Sequence, residues 1–340
     1  MAIQTSHVGS LPRSQKVVEY IFAKEKGEDY NEIEFDQVMT EAVNDTVRKQ
    51  KKAGITIVSD GETSKISYAT YVKDRYHGFA GDSPRNAPAD LKKFPNYLQK
   101  LANDGGTPKY ARPMCVSKLE PKKNDDLIKD IDNLKKALKG NDIKKGFMNA
   151  ASPGVISLFL QNDYYPSRED YLEALSNLMQ SEYEMIVKSG LDLQIDCPDL
   201  ALSRHMLFND MTDDEFVKVA SINIESLNNA LRNIPKDKIR IHICWGNYEG
   251  PHICDISISK MFETLMNVKT GHILFEAANP RHAHEWEVFE EKKNLIPDDL
   301  ILMPGVIDTT TNFVEHQNLV MQRLKNFTNI VGNDRVIGSS

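Results

Sequence analysis

Residues 239–244 read Ile-Arg-Ile-His-Ile-Cys, an alternation that a β-strand resolves onto two faces. Ile239, Ile241 and Ile243 share one face; Arg240, His242 and Cys244 share the other. An imidazole and a thiol two positions apart lie roughly 6.6 Å apart along a strand. Both can reach one tetrahedral metal, whose bonds to nitrogen and sulfur run about 2.0–2.3 Å. Taken alone, the alternation is as well explained by a buried cysteine beside a hydrogen-bonded histidine.

Polar residues elsewhere tip the balance toward chemistry. Asp192, Gln194 and Asp196 alternate with Leu193 and Ile195, and short apolar runs end in Ser59-Asp60-Gly61-Glu62, in Phe275-Glu276 and in Val306-Ile307-Asp308. The first such run ends His7-Val8-Gly9-Ser10. Any one of these is explained as a carboxylate or hydroxyl capping a loop. Gathered at one end of one sheet, they form an acidic pocket, and buried charges there need partners or a metal. A cation at His242 and Cys244 supplies such a partner for Glu276, and the thiolate points to zinc.

The elements that position these residues are strands alternating with amphipathic helices. Strands are predicted near 5–10, 55–60, 145–150, 191–196, 239–244, 272–276, 300–306 and 335–338. Helices are predicted over 31–52, 167–189, 212–233 and 313–329, with capping pairs at Ser167/Asp170 and Thr212/Glu215. Eight strand–helix units imply an α/β fold of (β/α)8 TIM-barrel type, with the active site at the C-terminal strand ends. A doubly wound open sheet is the alternative, but no Gly-x-Gly-x-x-Gly follows any strand. The Pro-, Gly- and Asn-rich stretch 83–113 fits neither period and is read as an excursion on the barrel, a lid or hairpin, within a single domain over 1–340. A final helix is expected beyond Ser340, so the sequence is read as truncated there.

With 42 Lys and Arg against 49 Asp and Glu, the net charge of −7 argues against a nucleic-acid surface. The Lys-rich tract 118–145 places Leu127, Ile131, Leu134 and Leu138 at helical spacing, which is a solvated helix face. No apolar run reaches membrane-spanning length and the N-terminus carries no signal, so the cytoplasm is the expected compartment. The four cysteines read as thiols. His252, His272, His282, His284 and His316 are expected to face solvent, and Arg204 and His205 to rim the pocket.

His7 to Arg13 (His-Val-Gly-Ser-Leu-Pro-Arg), Ser59-Asp60-Gly61-Glu62, Gln194-Ile195-Asp196-x-Pro198, His242-x-Cys244, Phe275-Glu276-Ala277 and Pro304-Gly305-Val306-Ile307-Asp308 together resemble the catalytic barrel of the cobalamin-independent methionine synthases, in a short single-barrel form. The resemblance implies a TIM barrel whose zinc binds the thiol of homocysteine, with His242, Cys244 and Glu276 as ligands. A fourth ligand of that family, a cysteine after the last strand, is expected past Ser340. It also implies that Val8, Gly9 and Ser10 receive the carboxylate of the amino-acid substrate, while Glu62 and Asp196 take its ammonium. Two positions depart from the family. Thr310 stands where a proton-delivering histidine is expected, and Phe159 only partly replaces the tryptophan that stacks on folate.

The implied reaction is zinc-dependent methyl transfer from 5-methyltetrahydrofolate or a related donor to homocysteine, with Asp308, or a water held by Thr310, relaying a proton to the leaving group. Two rival readings remain: another zinc-dependent thiol alkyl transfer, from a corrinoid donor or to an epoxide, and a non-catalytic barrel that binds a thiol or amino acid. Uroporphyrinogen decarboxylase shares the barrel type without a metal.

Overall fold

The computed structural model describes residues 2–83, 87–103 and 110–340. In chain order the strands are β1 (Gln4–Thr5), β2 (Tyr76–Ala80), β3 (Met114–Pro121), β4 (Phe147–Ala151), β5 (Asp192–Asp196), β6 (Ile239–Ile243), β7 (His272–Glu276), β8 (Ile301–Gly305) and β9 (Ile337–Gly338). Strands β4 to β8 form one parallel sheet, and β1 pairs in parallel with β9. Parallel bridges from Ser6 to Ile57 and from Val58 to Gly146 insert residues 57–58 between β1 and β4. Bridges from Leu302 to Val336 and from Gly305 to Ser339 join β8 to β9. Eight parallel segments thus close on themselves, the barrel expected from the alternating strands and helices.

Side-chain alternation sorts polar from apolar as the period of two requires. Leu193, Ile195, Ile239, Ile241 and Ile243 face the large core between strands and helices. Inside the barrel, Ile57, Phe147, Leu274, Met303 and Ile337 make a second apolar cluster. The Arg240 guanidinium lies 3.7 Å from the centre of the Phe147 ring, and one of its nitrogens donates to Ser6 Oγ at 3.0 Å. Beyond this plug, toward the C-terminal strand ends, the interior becomes polar: Asn149, Gln194, Asp196 and His242.

Helix starts follow their caps. Helix Arg168–Lys188 opens with Ser167 accepting from Asp170 N, and Asp213–Ala230 opens with a reciprocal Thr212–Glu215 capping box. Helix Asp125–Gly140 buries Leu127, Ile131, Leu134 and Leu138, as the lysine-rich tract implied. The last helix is shorter than its sequence pattern: it runs Gln317–Val331, capped by the His316 ring, and Phe313 and Val314 stand exposed outside it.

The excursion has more structure than its composition signals. Strands β2 and β3 form an antiparallel hairpin that carries it, and helices Ala89–Lys92 and Pro95–Asn103 cross between them. Part of the predicted span 83–113 lies outside the described residues.

Candidate active site at the C-terminal strand ends

On the chain leaving β1, the Val8 carbonyl accepts from the side-chain amides of Gln194 and of Asn149, the latter at 3.2 Å. Asn149 also donates to Asp196 Oδ2 at 3.0 Å, and Gln194 to Asp196 Oδ1 at 3.2 Å. Ser10 Oγ donates to Glu62 Oε1 at 3.0 Å. The three segments named by sequence for the amino-acid substrate, those of Val8–Ser10, Glu62 and Asp196, therefore meet. Asn149 is an addition that sequence reading missed, although its alternation with Met148 and Ala150 on an eight-strand barrel marks it as inward-facing.

Glu62 adopts φ of 54°, a left-handed conformation that costs energy outside glycine and concentrates at functional sites. Its backbone is held there by Asp60 Oδ1, which accepts from Glu62 N at 3.0 Å, and by Arg13, which donates to the Glu62 carbonyl at 2.6 Å. Three buried acceptors in this pocket lack partners among the described residues: Glu62 Oε2, Asn149 Oδ1 and Gln194 Oε1. Unpaired buried acceptors cost free energy, and together with Asp196 they describe a socket for a ligand rich in N–H donors and positive charge.

Burial lifts the Glu62 carboxyl to about 7; Lys65 opposes that, and the charges of Asp196 and Asp60 add to it. The sign follows from linkage. A carboxyl whose folded value lies above its ordinary 4.5 binds its proton more tightly when folded, so stability falls as pH rises from about 4.5 to 7. Replacing Glu62 by glutamine is expected to raise Tm by a few degrees at pH 8 and much less at pH 5. The same substitution should weaken binding of an α-amino acid at pH 8 and flatten its rise between pH 6 and 8. Thermal scans and binding titrations at both pH values check this pair of opposite effects.

Gly9 is the other constraint. A Cβ there would lie 2.5 Å from Glu62 Oε1 and 2.6 Å from the Asn149 amide nitrogen, so a side chain displaces both groups. Gly9→Ala is expected to raise KM for the amino-acid substrate about tenfold or more while barely moving Tm, since the clash falls on pocket side chains. A variant with unchanged KM would remove Gly9 from the site.

His242 Nδ1 lies 2.9 Å from Asp196 Oδ1. Burial alone would lower the basicity of His242, but hydrogen bonds to Asp196 and Cys244 outweigh it and lift the imidazole to about 10. The pair thus favours a positive charge. Cys244 Sγ is half-buried and accepts from Gly246 N at 3.2 Å. The imidazole and thiol that opened the sequence reading do converge.

Glu276 is arranged differently. Register pairs Ile243 with Phe275, so the end of β7 lies beside Cys244, but Glu276 Oε1 accepts from Ala278 N at 2.6 Å and Asn279 N at 2.9 Å. Among the described residues, no three His, Cys, Asp or Glu side chains are grouped tightly enough to hold an ion. The donor chemistry still fits a soft divalent cation: imidazole and thiol converge, and a carboxylate stands at the neighbouring strand end, turned onto its own loop.

Asp308 and Thr310 make a closed turn. Asp308 Oδ1 accepts from Thr310 N at 2.9 Å and Thr310 Oγ1 at 2.7 Å, and Asp308 N donates to Glu315. Neither has a hydrogen bond to His242 or Cys244 among the described residues.

Several histidines are not where sequence put them. His252 and His282 are buried, not solvent-facing: both bond Asp255 Oδ2, at 2.8 and 2.9 Å. His205 is also buried, between Asp90 and Asp255, and does not rim the pocket. Arg204 turns away to Asp213 and the Phe208 carbonyl. Asp255 follows His252 by three residues and Glu285 follows His282 by three, a local sign of a carboxylate partner, whereas the meeting of both rings on Asp255 and of His205 with Asp90 pairs distant segments.

No family model matches the chain. It is 24% identical to a methionine synthase of Thermococcus kodakarensis over 336 residues, covering 98% of this chain and 84% of that protein. It is 24% identical to a methionine synthase of Saccharolobus solfataricus over 262 residues, 76% of this chain and 68% of that protein. A B12-independent methionine synthase from Shewanella sp. W3-18-1, solved with selenomethionine, shares the fold with a TM-score of 0.73 and 20% identity, over 100% of this chain and 90% of that one. No helix among the described residues is long and apolar enough to cross a membrane.

Proposed function

We propose that this chain, a member of the cobalamin-independent methionine synthase family, is an S-methyltransferase that methylates the thiol of homocysteine to give methionine. The observation that carries this reading is the pocket of unpartnered acceptors, Glu62 Oε2, Asn149 Oδ1 and Gln194 Oε1, beside the His242–Cys244 pair. An α-ammonium group satisfies the first, and a side-chain thiol two methylenes away reaches toward the second.

The chain's own residues divide the work. Glu62 and Asp196 hold the ammonium, with charge-assisted hydrogen bonds. The Val8–Ser10 segment receives the carboxylate. His242, Cys244 and Glu276 would hold a zinc ion, which, when bound, stabilises the substrate thiol as a thiolate at neutral pH. Asp196 fixes the His242 ring through Nδ1, so that Nε2 would be the nitrogen available to a metal. In the transfer a sulfur–carbon bond forms and the bond from the methyl carbon to the donor's leaving atom breaks. A donor that leaves as an amine takes up a proton, and Asp308, with Thr310 donating to it, is our candidate carrier.

The test is methionine formation by zinc-loaded protein from homocysteine and 5-methyltetrahydrofolate, followed by mass spectrometry, with methylcobalamin as a second donor. Methionine from either donor supports the activity. Absence of both turnover and homocysteine binding would contradict it.

A further inference from the structure

The loop that begins at Cys244 carries part of a buried cluster in which three imidazoles surround one carboxylate. Asp255 Oδ2 meets His252 Nδ1 at 2.8 Å and His282 Nε2 at 2.9 Å, and Asp255 Oδ1 stands 3.6 Å from His205 Nε2. Each ring turns its other nitrogen to a further acceptor. For His252 this is the Tyr248 carbonyl at 3.1 Å, for His282 it is Glu285 Oε2 at 2.8 Å, and for His205 it is Asp90 Oδ1 at 3.5 Å. The side chains of these three histidines and three acids are all 8% exposed or less.

This pattern sets the protons. Carbonyls and carboxylates only accept, so a ring with an acceptor at each nitrogen donates from both, which only the imidazolium does. His252 and His282 are in that position at hydrogen-bond distance. His205 has no such bond at either nitrogen; a neutral ring has one N–H for two carboxylates, and it stands off both. Burial holds His205 below its ordinary value. Burial also opposes charge on His252 and His282, but Asp255, joined by Glu285 at His282, outweighs it and lifts His282 to about 9. The His282 ring also packs on the Trp245 indole with centroids 4.5 Å apart, a neighbour that favours a cation. The acid on β7, Glu276, is bonded to its own loop.

The cluster joins four segments. His205 follows β5, Tyr248 to Asp255 follow β6, His282 and Glu285 follow β7, and Asp90 belongs to the excursion, on helix Ala89–Lys92. Asp90 is fully buried and accepts from the Tyr248 hydroxyl and from His252 N, the latter at 3.1 Å. Tyr97 on the next helix donates to the Glu249 carbonyl at 2.6 Å. His252 holds φ of 52°, a left-handed backbone that persists only where its surroundings enforce it, and its ring stacks on Tyr248 with centroids 4.4 Å apart. The excursion is thus seated on His252, and His252 is seated by its ion pair with Asp255.

We infer that Asp255 and its imidazoles form a proton-dependent latch: with His252 and His282 protonated it holds the excursion against the loop that begins at Cys244, and loss of their protons releases it. Deprotonation leaves Asp90, Asp255 and Glu285 as buried carboxylates stripped of their cations, which is costly. Linkage gives the direction. A histidine whose folded value is raised contributes its stability in full below its ordinary 6.5 and loses it as pH rises through the folded value, so release falls between 6.5 and about 9. The latch is independent of the methyl transfer proposed above.

The experiment reads both ends of the latch in the full chain. Trp245 and Trp286 are its two tryptophans, so Trp286→Phe leaves Trp245 to be read alone. An imidazolium in contact with an indole quenches its fluorescence, and a neutral imidazole does so far less. Trp245 emission is expected to rise about twofold or more with a midpoint near pH 9, and the rise should vanish when His282→Gln is added. Cleavage within residues 87–103 by proteinase K, corrected for its rate on a denatured substrate, should be about tenfold faster near pH 9.5 than near pH 7. Asp90→Asn keeps the shape and removes the docking charge; it should be cleaved near pH 7 about as fast as the unaltered chain near pH 9.5, with a cooperative thermal transition retained. An emission midpoint below about pH 7, a rise that survives His282→Gln, or Asp90→Asn cleaved no faster than the unaltered chain would overturn the latch. A corrected cleavage rate in the unaltered chain that does not change with pH would overturn it without any variant.

Discussion

Cys244→Ser is expected to abolish the proposed zinc binding and to lower kcat/KM for homocysteine methylation by about three orders of magnitude, ~4 kcal/mol of transition-state stabilisation. A hydroxyl is a poor ligand where a thiolate bound, and without the cation a free thiol with a pKa near 8.5 is mostly protonated at neutral pH. The fold should tolerate the change. Cys244 is only half-buried, and apart from its contact with His242 it accepts from Gly246 N at 3.2 Å. Elemental analysis for zinc, a methionine assay and a thermal scan on one preparation separate the cases. Loss of metal and activity at unchanged Tm supports a ligand role, whereas full activity without Cys244 removes it.

The second large effect falls on Asp196. Its two oxygens serve different tasks: Oδ1 holds His242 Nδ1 at 2.9 Å, and Oδ2 takes the Asn149 amide at 3.0 Å beside Glu62. Asp196→Asn keeps the volume, removes the charge and places an N–H₂ group where one carboxylate oxygen stood. Metal affinity should fall by about 10–100-fold, the usual cost of losing the partner that orients a ligating histidine. The KM for homocysteine should rise by a similar factor, because the ammonium loses one of its two carboxylates. The joint loss distinguishes Asp196 from Glu62, whose replacement should weaken amino-acid binding and leave metal affinity alone. Competition against a zinc-sensitive dye and substrate kinetics measure the two effects separately.

Local pattern made much of this molecule readable. The order Leu193–Asp196 and the order Ile239–Cys244 each fix two faces with a period of two, and the structure sets their isoleucines and leucines outward and their polar residues inward. Ser167 and Thr212 announce the helices that follow them because capping is a local interaction. What sequence could not supply were pairings between distant segments. Asn149 matters because Asp196 and Val8 lie across from it. His205 follows the same rule, since Asp90 and Asp255 reach it from distant segments. His252 and His282 do carry a local signal, because Asp255 and Glu285 follow them by three residues, but the sharing of Asp255 between the two rings is a long-range pairing. Glu276 shows the limit from the other side, since its strand end lies beside Cys244 while its carboxylate caps residues 278 and 279.

Zinc-edge X-ray absorption on the full-length protein, with and without homocysteine, tests the central claim most directly. The account predicts about one zinc per chain, a mixed nitrogen, oxygen and sulfur shell with zinc–sulfur distances near 2.3 Å, and one further sulfur when homocysteine is added. A protein that binds no zinc, or whose shell contains no sulfur before or after homocysteine, would contradict it.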